Sequence, residues 1–241
     1  MNLAADIGNT LIKIGLFDGD VLDKNFSFSH LSSKDIAALL NKFPAINNAI
    51  ISGVSGQRHN HQKSFGKIQR VIFLNAQTKL PFINRYRTPA TLGTDRLAIV
   101  AGAMKYFRGK NVLAISAGTC ITYDFISDKN IYSGGSISPG LRMRLQALHH
   151  FTARLPLVNL KPAKKITGAS TADSILSGVI NGITFEMDGF INEYKMKFPD
   201  IKIILTGGDA NFFARHFKSS IFAAPHLSLT GLNEILNHND L

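Results

Sequence analysis

A single cysteine, Cys120, and no tryptophan occur in this chain of 241 residues. One thiol cannot form a disulfide within the chain, so cysteine usage gives no sign of an oxidising compartment. No stretch approaches the roughly 20 apolar residues that a membrane-spanning helix needs. Met1 leads directly into a short apolar run with no basic leader or small-residue cleavage site, so a cytoplasmic, non-exported protein is expected. Low-complexity segments and basic runs are absent too. The 27 Lys and Arg outnumber the 16 Asp and Glu, giving a formal net charge of +11. Such a surplus suits nucleic acid, an anionic membrane or an anionic small substrate. The basic residues are scattered singly, with no zinc-finger spacing or RNA-binding signature, which argues against nucleic acid. What is present, 45% hydrophobic and 18% charged residues, is the balance of a folded globular protein.

The pattern along the chain reads as α/β. Asn2 to Asp6 and Leu11 to Phe17 form a hairpin, and Val21 to Phe28 a third strand. A helix follows over Asp35 to Phe43, behind Ser32 and Ser33 and ahead of Pro44. Asn48 to Gly53 and Arg70 to Asn75 read as strands separated by a polar, helix-compatible stretch. The theme then repeats: Asn111 to Ile115, Ile121 to Ile126 and Ile131 to Ile137 are strands, with a tight turn at Ala117-Gly118-Thr119. Helices are expected over Leu141 to Thr152, Thr171 to Lys197 and Asp209 to Phe217, and strands near Ile201 to Leu205 and Ser220 to Ala223.

LAADIGNTLIKIGLFDGD from Leu3 and LAISAGTCITYDFISDKN from Leu113 align without a gap. Asp6 then falls on Ser116, Gly8 on Gly118 and Asn9 on Thr119. Short hairpins resemble one another by chance, but an internal duplication explains the whole span better. The boundary falls near Gly109-Lys110, so the expected organisation is two lobes, 1–110 and 111–241, around a cleft.

In Asp6-x-Gly8-Asn9-Thr10-x-x-Lys13 each residue type suits a polyphosphate. Gly8 lets main-chain N–H groups approach phosphate oxygens, and Asn9 and Thr10 add short donors. Lys13 supplies positive charge, and Asp6 can hold a phosphate-bound Mg2+ directly or through water. An ordinary hairpin would also use Gly and Asn, but it needs neither an acid at the strand end nor a cation on the return strand. Gly118 and Thr119 offer a second set of donors, and Leu205-Thr206-Gly207-Gly208-Asp209 a strand-to-helix turn suited to close approach of adenosine. Gly93-Thr94-Asp95-Arg96 opens a helical stretch. One reading is a cap or surface ion pair. The other has Asp95 accept a substrate hydroxyl proton while Arg96 grips an anion. His59, His61, His149 and His150 lack the partners of a zinc site and read as surface positions, as do Arg142 and Arg144 on a solvated helix face.

Taken together, DIGNTLIK, Tyr86 with Pro89 and LGTDR, SAGTCITYD, GGSISPG, GASTADSILSG and LTGGDA resemble the type III pantothenate kinases along essentially the whole chain. The resemblance implies a duplicated actin-like ATPase (ribonuclease H-like) fold and a homodimer with pantothenate near its interface. It implies ATP-dependent phosphorylation of pantothenate, the first step of coenzyme A synthesis. Asp6, Ile7, Gly8, Asn9, Thr10, Leu11, Ile12 and Lys13 would bind ATP phosphates and Mg2+, with Gly118 and Thr119 also at ATP. Asp95 would be the proton acceptor, and Tyr86, Gly93, Thr94, Arg96 and Thr171 would hold pantothenate together with it. Ser116 departs from the family, which usually has Asp there, resembling a ligand for K+ or NH4+. A neutral hydroxyl is a poorer cation partner, so that site is in doubt here. Two alternatives remain at this level: a kinase for another small hydroxyl acceptor, and a non-catalytic nucleotide-binding regulator of the same fold.

Overall fold

The computed structural model describes residues 1–8, 10–53, 64–66, 68–162, 165–215, 217 and 221–239. Asn9, His59, His61 and most of the polar stretch between Gly53 and Arg70 lie outside the described residues. The chain groups into two compact units, one of residues 1–109, 126–134 and 226–241, the other of 110–125 and 135–225.

In the first unit β1 (Asn2–Ile7), β2 (Ile12–Asp18) and β3 (Val21–Phe28) form an antiparallel meander. The helix α1 (Ser33–Lys42) starts at a capping box in which Ser32 and Asp35 satisfy each other's backbone N–H. Two parallel strands, β4 (Asn48–Gly53) and β5 (Arg70–Phe73), complete a sheet of order β3-β2-β1-β4-β5. Leu3, Ala5 and Ile7 of β1 join Ile12, Ile14 and Leu16 of β2 and Leu31, Ile36 and Leu39 in one buried cluster. That is the period of 2 at work: alternate residues of a strand share a face. β6 (Ile83–Asn84) and α2 (Thr94–Tyr106) follow, the latter buried continuously from Arg96 to Met104.

The second unit repeats the arrangement. β7 (Val112–Ala117), β8 (Cys120–Ile126) and β9 (Ile131–Pro139) lead through α3 (Leu141–His150) and α4 (Thr171–Lys197) to β10 (Lys202–Thr206), α5 (Ala210–Ala214) and β11 (Phe222–Ala223). Their order is β9-β8-β7-β10-β11, with β7, β10 and β11 parallel, the counterpart of β3-β2-β1-β4-β5. The first residues of β9 count with the first unit, where Ile131 and Tyr132 pair with β6.

The topology therefore supports the duplication, with one change in the alignment. Strand starts match at Asn2 with Val112 and at Val21 with Ile131, but β8 begins at Cys120, two residues before the gapless alignment places it. The first hairpin turns through Gly8 to Leu11, the second through Gly118 and Thr119 alone. The return strand turns Ile12, Ile14 and Leu16 to the core in the first hairpin and Ile121 and Tyr123 in the second, so its faces are displaced by one position from the gapless alignment.

The last helix, α6 (Leu227–His238), was not foreseen, and it belongs with the first unit. Division at 110/111 would put 226–241 in the second lobe. Contacts place α6 against α2, β1 and β4 instead. Two glycines allow this packing: a Cβ on Gly231 would lie 1.7 Å from the Ala98 carbonyl oxygen, and one on Gly102 2.3 Å from that of Leu227. Lys105 of α2 adds ion pairs to Glu234 at 2.8 Å and Asp20 at 2.6 Å. No described helix is long and apolar enough to cross a membrane.

Candidate active site

The β1–β2 hairpin puts Lys13 directly opposite Asp6. Its turn closes with the Gly8 N–H donating to the Leu11 carbonyl at 3.2 Å. Ile7 and Ile12 turn their side chains into the core, so only their main chain is available to a ligand, whereas Thr10 and Leu11 are exposed. Burial pushes the Asp6 carboxyl above its ordinary range. The Asp95 charge adds to that effect, while a hydrogen bond from the Ser228 hydroxyl and the Lys13 charge oppose it. Asp6, Lys13, Asp95 and Ser228 thus form one electrostatic cluster at the end of β1.

Asp95 stands in the exposed first turn of α2. Its carboxylate folds back over Gly93, where a Cβ would fall 2.3 Å from Asp95 Oδ1. The Ser52 hydroxyl donates to Thr94 Oγ1 at 2.9 Å, tying this turn to β4. Arg96 is only 5% exposed, and its guanidinium lies 5.6 Å from the centre of the Tyr86 ring, within cation–π range. Tyr86 in turn stacks nearly parallel to Tyr132 at 6.3 Å. Gly134, at φ 120, leaves room for the ring, since a Cβ there would come within 3.0 Å of it. The structure so sets Lys13 opposite Asp6, with the Asp95 charge acting on Asp6, and brings Tyr86 and Arg96 into contact.

His226 and Ser228, around the start of α6, were absent from the sequence reading. Burial, then the Lys13 charge, pushes the His226 imidazole below its ordinary range, which favours the neutral form. The available signal was the spacing of Leu229, Leu232 and Leu236, an apolar helical stripe. Thr230 and Gly231 within it weaken helix propensity and mask the pattern.

In the second unit the Ala117-Gly118-Thr119 turn is locked from two sides. The Gly140 N–H donates to the Thr119 carbonyl at 3.0 Å, and the Asp209 N–H to that of Ala117 at 3.0 Å. Gly207, at φ 100, passes so close that a Cβ would lie 2.1 Å from the Ala117 oxygen. Burial pushes the Asp209 carboxyl up, against the charge of Arg142. Ser116 pairs with Thr206 across β7 and β10. Thr171 is the exposed first residue of α4, behind a Ser170 cap that accepts the Asp173 N–H at 3.1 Å.

Arg144 corrects the reading of α3 as a solvated basic face. Its guanidinium donates to Glu186 Oε2 at 2.5 Å, and Tyr123 and Ser138 hydroxyls donate to Oε1 at 2.7 and 2.5 Å. Arg142, His149 and His150 are exposed as expected. Among the described residues no group of three His, Cys, Asp or Glu could hold a metal by itself. Mg2+ typically takes one or two carboxylates plus substrate phosphates, and Asp6 could supply one such carboxylate.

Solved structures with this architecture define the class. A structure named for the Baf family of transcriptional activators, from Campylobacter jejuni, superposes with a TM-score of 0.62 at 24% identity, covering 99% of this chain and 98% of its own. The ROK hexokinase of Thermus thermophilus gives 0.51 at 11% identity, covering 99% of each chain. The fold is that of the actin-like ATPases and sugar kinases. Within it, the family model for type III pantothenate kinase matches residues 2–193. The type III pantothenate kinase of Christiangramia forsetii is 47% identical over 240 residues, covering 99% of each chain. That of Bacteroides fragilis strain YCH46 is 44% identical over 241 residues, 100% of this chain and 99% of its own. The chain belongs to the type III pantothenate kinase family.

Proposed function

We propose that this protein transfers the terminal phosphoryl group of ATP to the hydroxyl of pantothenate, giving 4'-phosphopantothenate for coenzyme A synthesis. The carrying observation is that, in a chain matching the family over nearly the whole length of its relatives, Lys13 stands opposite Asp6 and the Asp95 charge acts on it, which supports roles as phosphate cation, metal ligand and base. Asp6 would hold Mg2+ through an oxygen or a bound water, and Mg2+ when bound would neutralise phosphate charge. Lys13 and the main-chain donors of residues 7–12, with Gly118 and Thr119, would bind the triphosphate. Asp95 would accept the proton of the attacking hydroxyl. Arg96 would pair with the pantothenate carboxylate, Tyr86 would present the ring that orients the guanidinium, and Gly93, Thr94 and Thr171 would complete that subsite.

The functional protein would be a cytoplasmic homodimer. The exposure of several large apolar side chains in the second unit, among them Ile137, Phe151, Ile166 and Phe185, supports this, because association would take them out of water. Activation by K+ or NH4+ would be weak, since Ser116 brings no charge to such a site.

Purified protein with ATP, Mg2+ and pantothenate, followed by mass detection of phosphopantothenate, tests the proposal. Formation of the product with matching release of ADP is expected. ATP binding without pantothenate-dependent ADP release would overturn it in favour of a nucleotide-binding regulator, and a different preferred hydroxyl acceptor would overturn the substrate.

A further inference from the structure

We infer that Tyr132, near the start of β9, is a positioning residue for the acceptor subsite: its buried ring braces Tyr86, and Tyr86 in turn sets the direction in which the Arg96 guanidinium points. The inference rests on Arg96 pairing with the pantothenate carboxylate as proposed above.

Three rings and one cation stand in series within the first unit. Phe82 meets Tyr132 edge-on, with ring centres 6.0 Å apart and planes at 77°. Tyr86 lies nearly parallel to Tyr132, 6.3 Å away with planes 8° apart, and the central guanidinium carbon of Arg96 is 5.6 Å from the centre of the Tyr86 ring. All three separations lie within the range of aromatic and cation–π contacts. Phe82 and Tyr132 are 7% and 0% exposed, whereas Tyr86 is partly exposed. The ring that meets Arg96 is thus held from its buried side.

The main chain fixes the same arrangement. β6 is two residues long and pairs in parallel with Ile131 and Tyr132. The Ile83 N–H donates to the Asn130 carbonyl at 2.9 Å and the Arg85 N–H to that of Tyr132 at 2.8 Å, while Asn84 Oδ1 accepts the Tyr86 N–H at 3.0 Å. Tyr132 therefore holds the Tyr86 segment through its backbone and the Tyr86 ring through its own. Gly134 keeps the place of that ring open, since a Cβ there would lie 3.0 Å from Tyr86 Cδ2 and Cε2. A guanidinium over a ring face keeps its flat side on the ring and meets planar anions through its edge N–H groups. The plane of Tyr86 then governs where that edge is aimed, and Tyr132 governs the plane.

The test measures steady-state kinetics with pantothenate and with ATP varied. Tyr132→Leu should raise the KM for pantothenate roughly tenfold, the scale of one aromatic or cation–π contact. The kcat and the KM for ATP should change little, because carboxylate binding is what is lost. Tyr132→Phe keeps the ring and should keep the natural KM, and a rise equal to that of Tyr132→Leu would overturn the stacking role. If Tyr132→Leu does not fold, Tyr132→Met, whose flexible apolar side chain fills irregular space, carries the same expectation. Arg96→Met tests the coupling: without the guanidinium, Tyr132→Leu should lower kcat/KM for pantothenate no further, whereas a merely structural role would add its loss independently. Unchanged KM for pantothenate in folded Tyr132→Leu, or a fully additive loss in the double variant, overturns the inference. A raised KM in Arg96→Met with a natural one in Tyr132→Leu removes Tyr132 alone, and a natural KM in Arg96→Met overturns the reading of Arg96 beneath it.

Discussion

Lys13 and Asp6 face each other across the first hairpin, the fifth of six residue pairs between β1 and β2. Directly opposed residues of an antiparallel pair present their side chains on the same face, so an acid and a cation are offered together. The Lys13 charge also counters the burial that disfavours ionised Asp6. Lys13→Met keeps the aliphatic stem and removes the charge. It should lower kcat/KM for ATP roughly a hundredfold, the scale of losing one preorganised electrostatic contact. Steady-state kinetics with ATP varied will measure it.

Asp95→Asn keeps side-chain volume and removes the proton acceptor. Because Asp95 is exposed, the fold should tolerate the change, with turnover falling by about 10²- to 10⁴-fold, the usual contribution of a general base. Near-normal turnover in a folded variant would dismiss Asp95 as the base.

Two glycine substitutions should move stability in opposite directions. Gly231→Ala drives a methyl group into the Ala98 carbonyl, 1.7 Å away in the present geometry, and should cost about 1–3 kcal/mol or more as α2 and α6 separate. Gly178 lies within α4 with nothing within 4 Å of the added carbon. Gly178→Ala should therefore stabilise by about 0.5–1 kcal/mol through helix propensity and unfolded-state entropy. Thermal denaturation of both variants decides the signs.

Glu186 gives the second unit a pH dependence. Burial pushes its carboxyl up, but Ser138, Arg144 and Tyr123 outweigh this and hold it below the usual 4.5. A carboxyl with a depressed folded pKa stabilises the native state above its unfolded pKa, and that stability is lost as the pH falls through the folded pKa. The natural protein should thus lose melting temperature more steeply below pH 4.5 than Glu186→Gln does. Parallel slopes for the two proteins down the acid limb would refute the linkage.

Ser116 offers a test of cation dependence. The natural protein should respond weakly to K+, and Ser116→Asp should add a charged ligand and lower the K+ concentration for half-maximal activation. Strong activation by low K+ that disappears on replacing Ser116 by Ala would show that the hydroxyl suffices.

Much of this was legible in local patterns. Short apolar runs marked β1, β2, β7 and β8, and the range Thr171–Lys197 for α4 agrees with the structure. The duplication was legible because Leu3 and Leu113 begin the same run of strand and turn. Its one-residue displacement after Gly118 was not, since the gapless match puts Thr122 and Asp124 where Ile121 and Tyr123 face the core. Arg144 looked like surface because its partner Glu186 is on another helix, beyond the reach of any local pattern. The expected helix over Asp209 to Phe217 shrank to Ala210–Ala214.

Sequence alone determined the two hairpins, their placement of Asp6, Lys13 and Gly118, and the helix start that carries Asp95 and Arg96. These depend on turn chemistry and residue periodicity, which act over a few neighbouring positions. Tertiary structure decided where α6 goes and hence what stands behind Asp6. The helix packs there because Gly102 and Gly231 let two helix backbones approach and because Asn2 donates to Asn233 and Asn237. Close packing between segments more than 200 residues apart depends on shape and burial in the folded chain, and no local pattern encodes it.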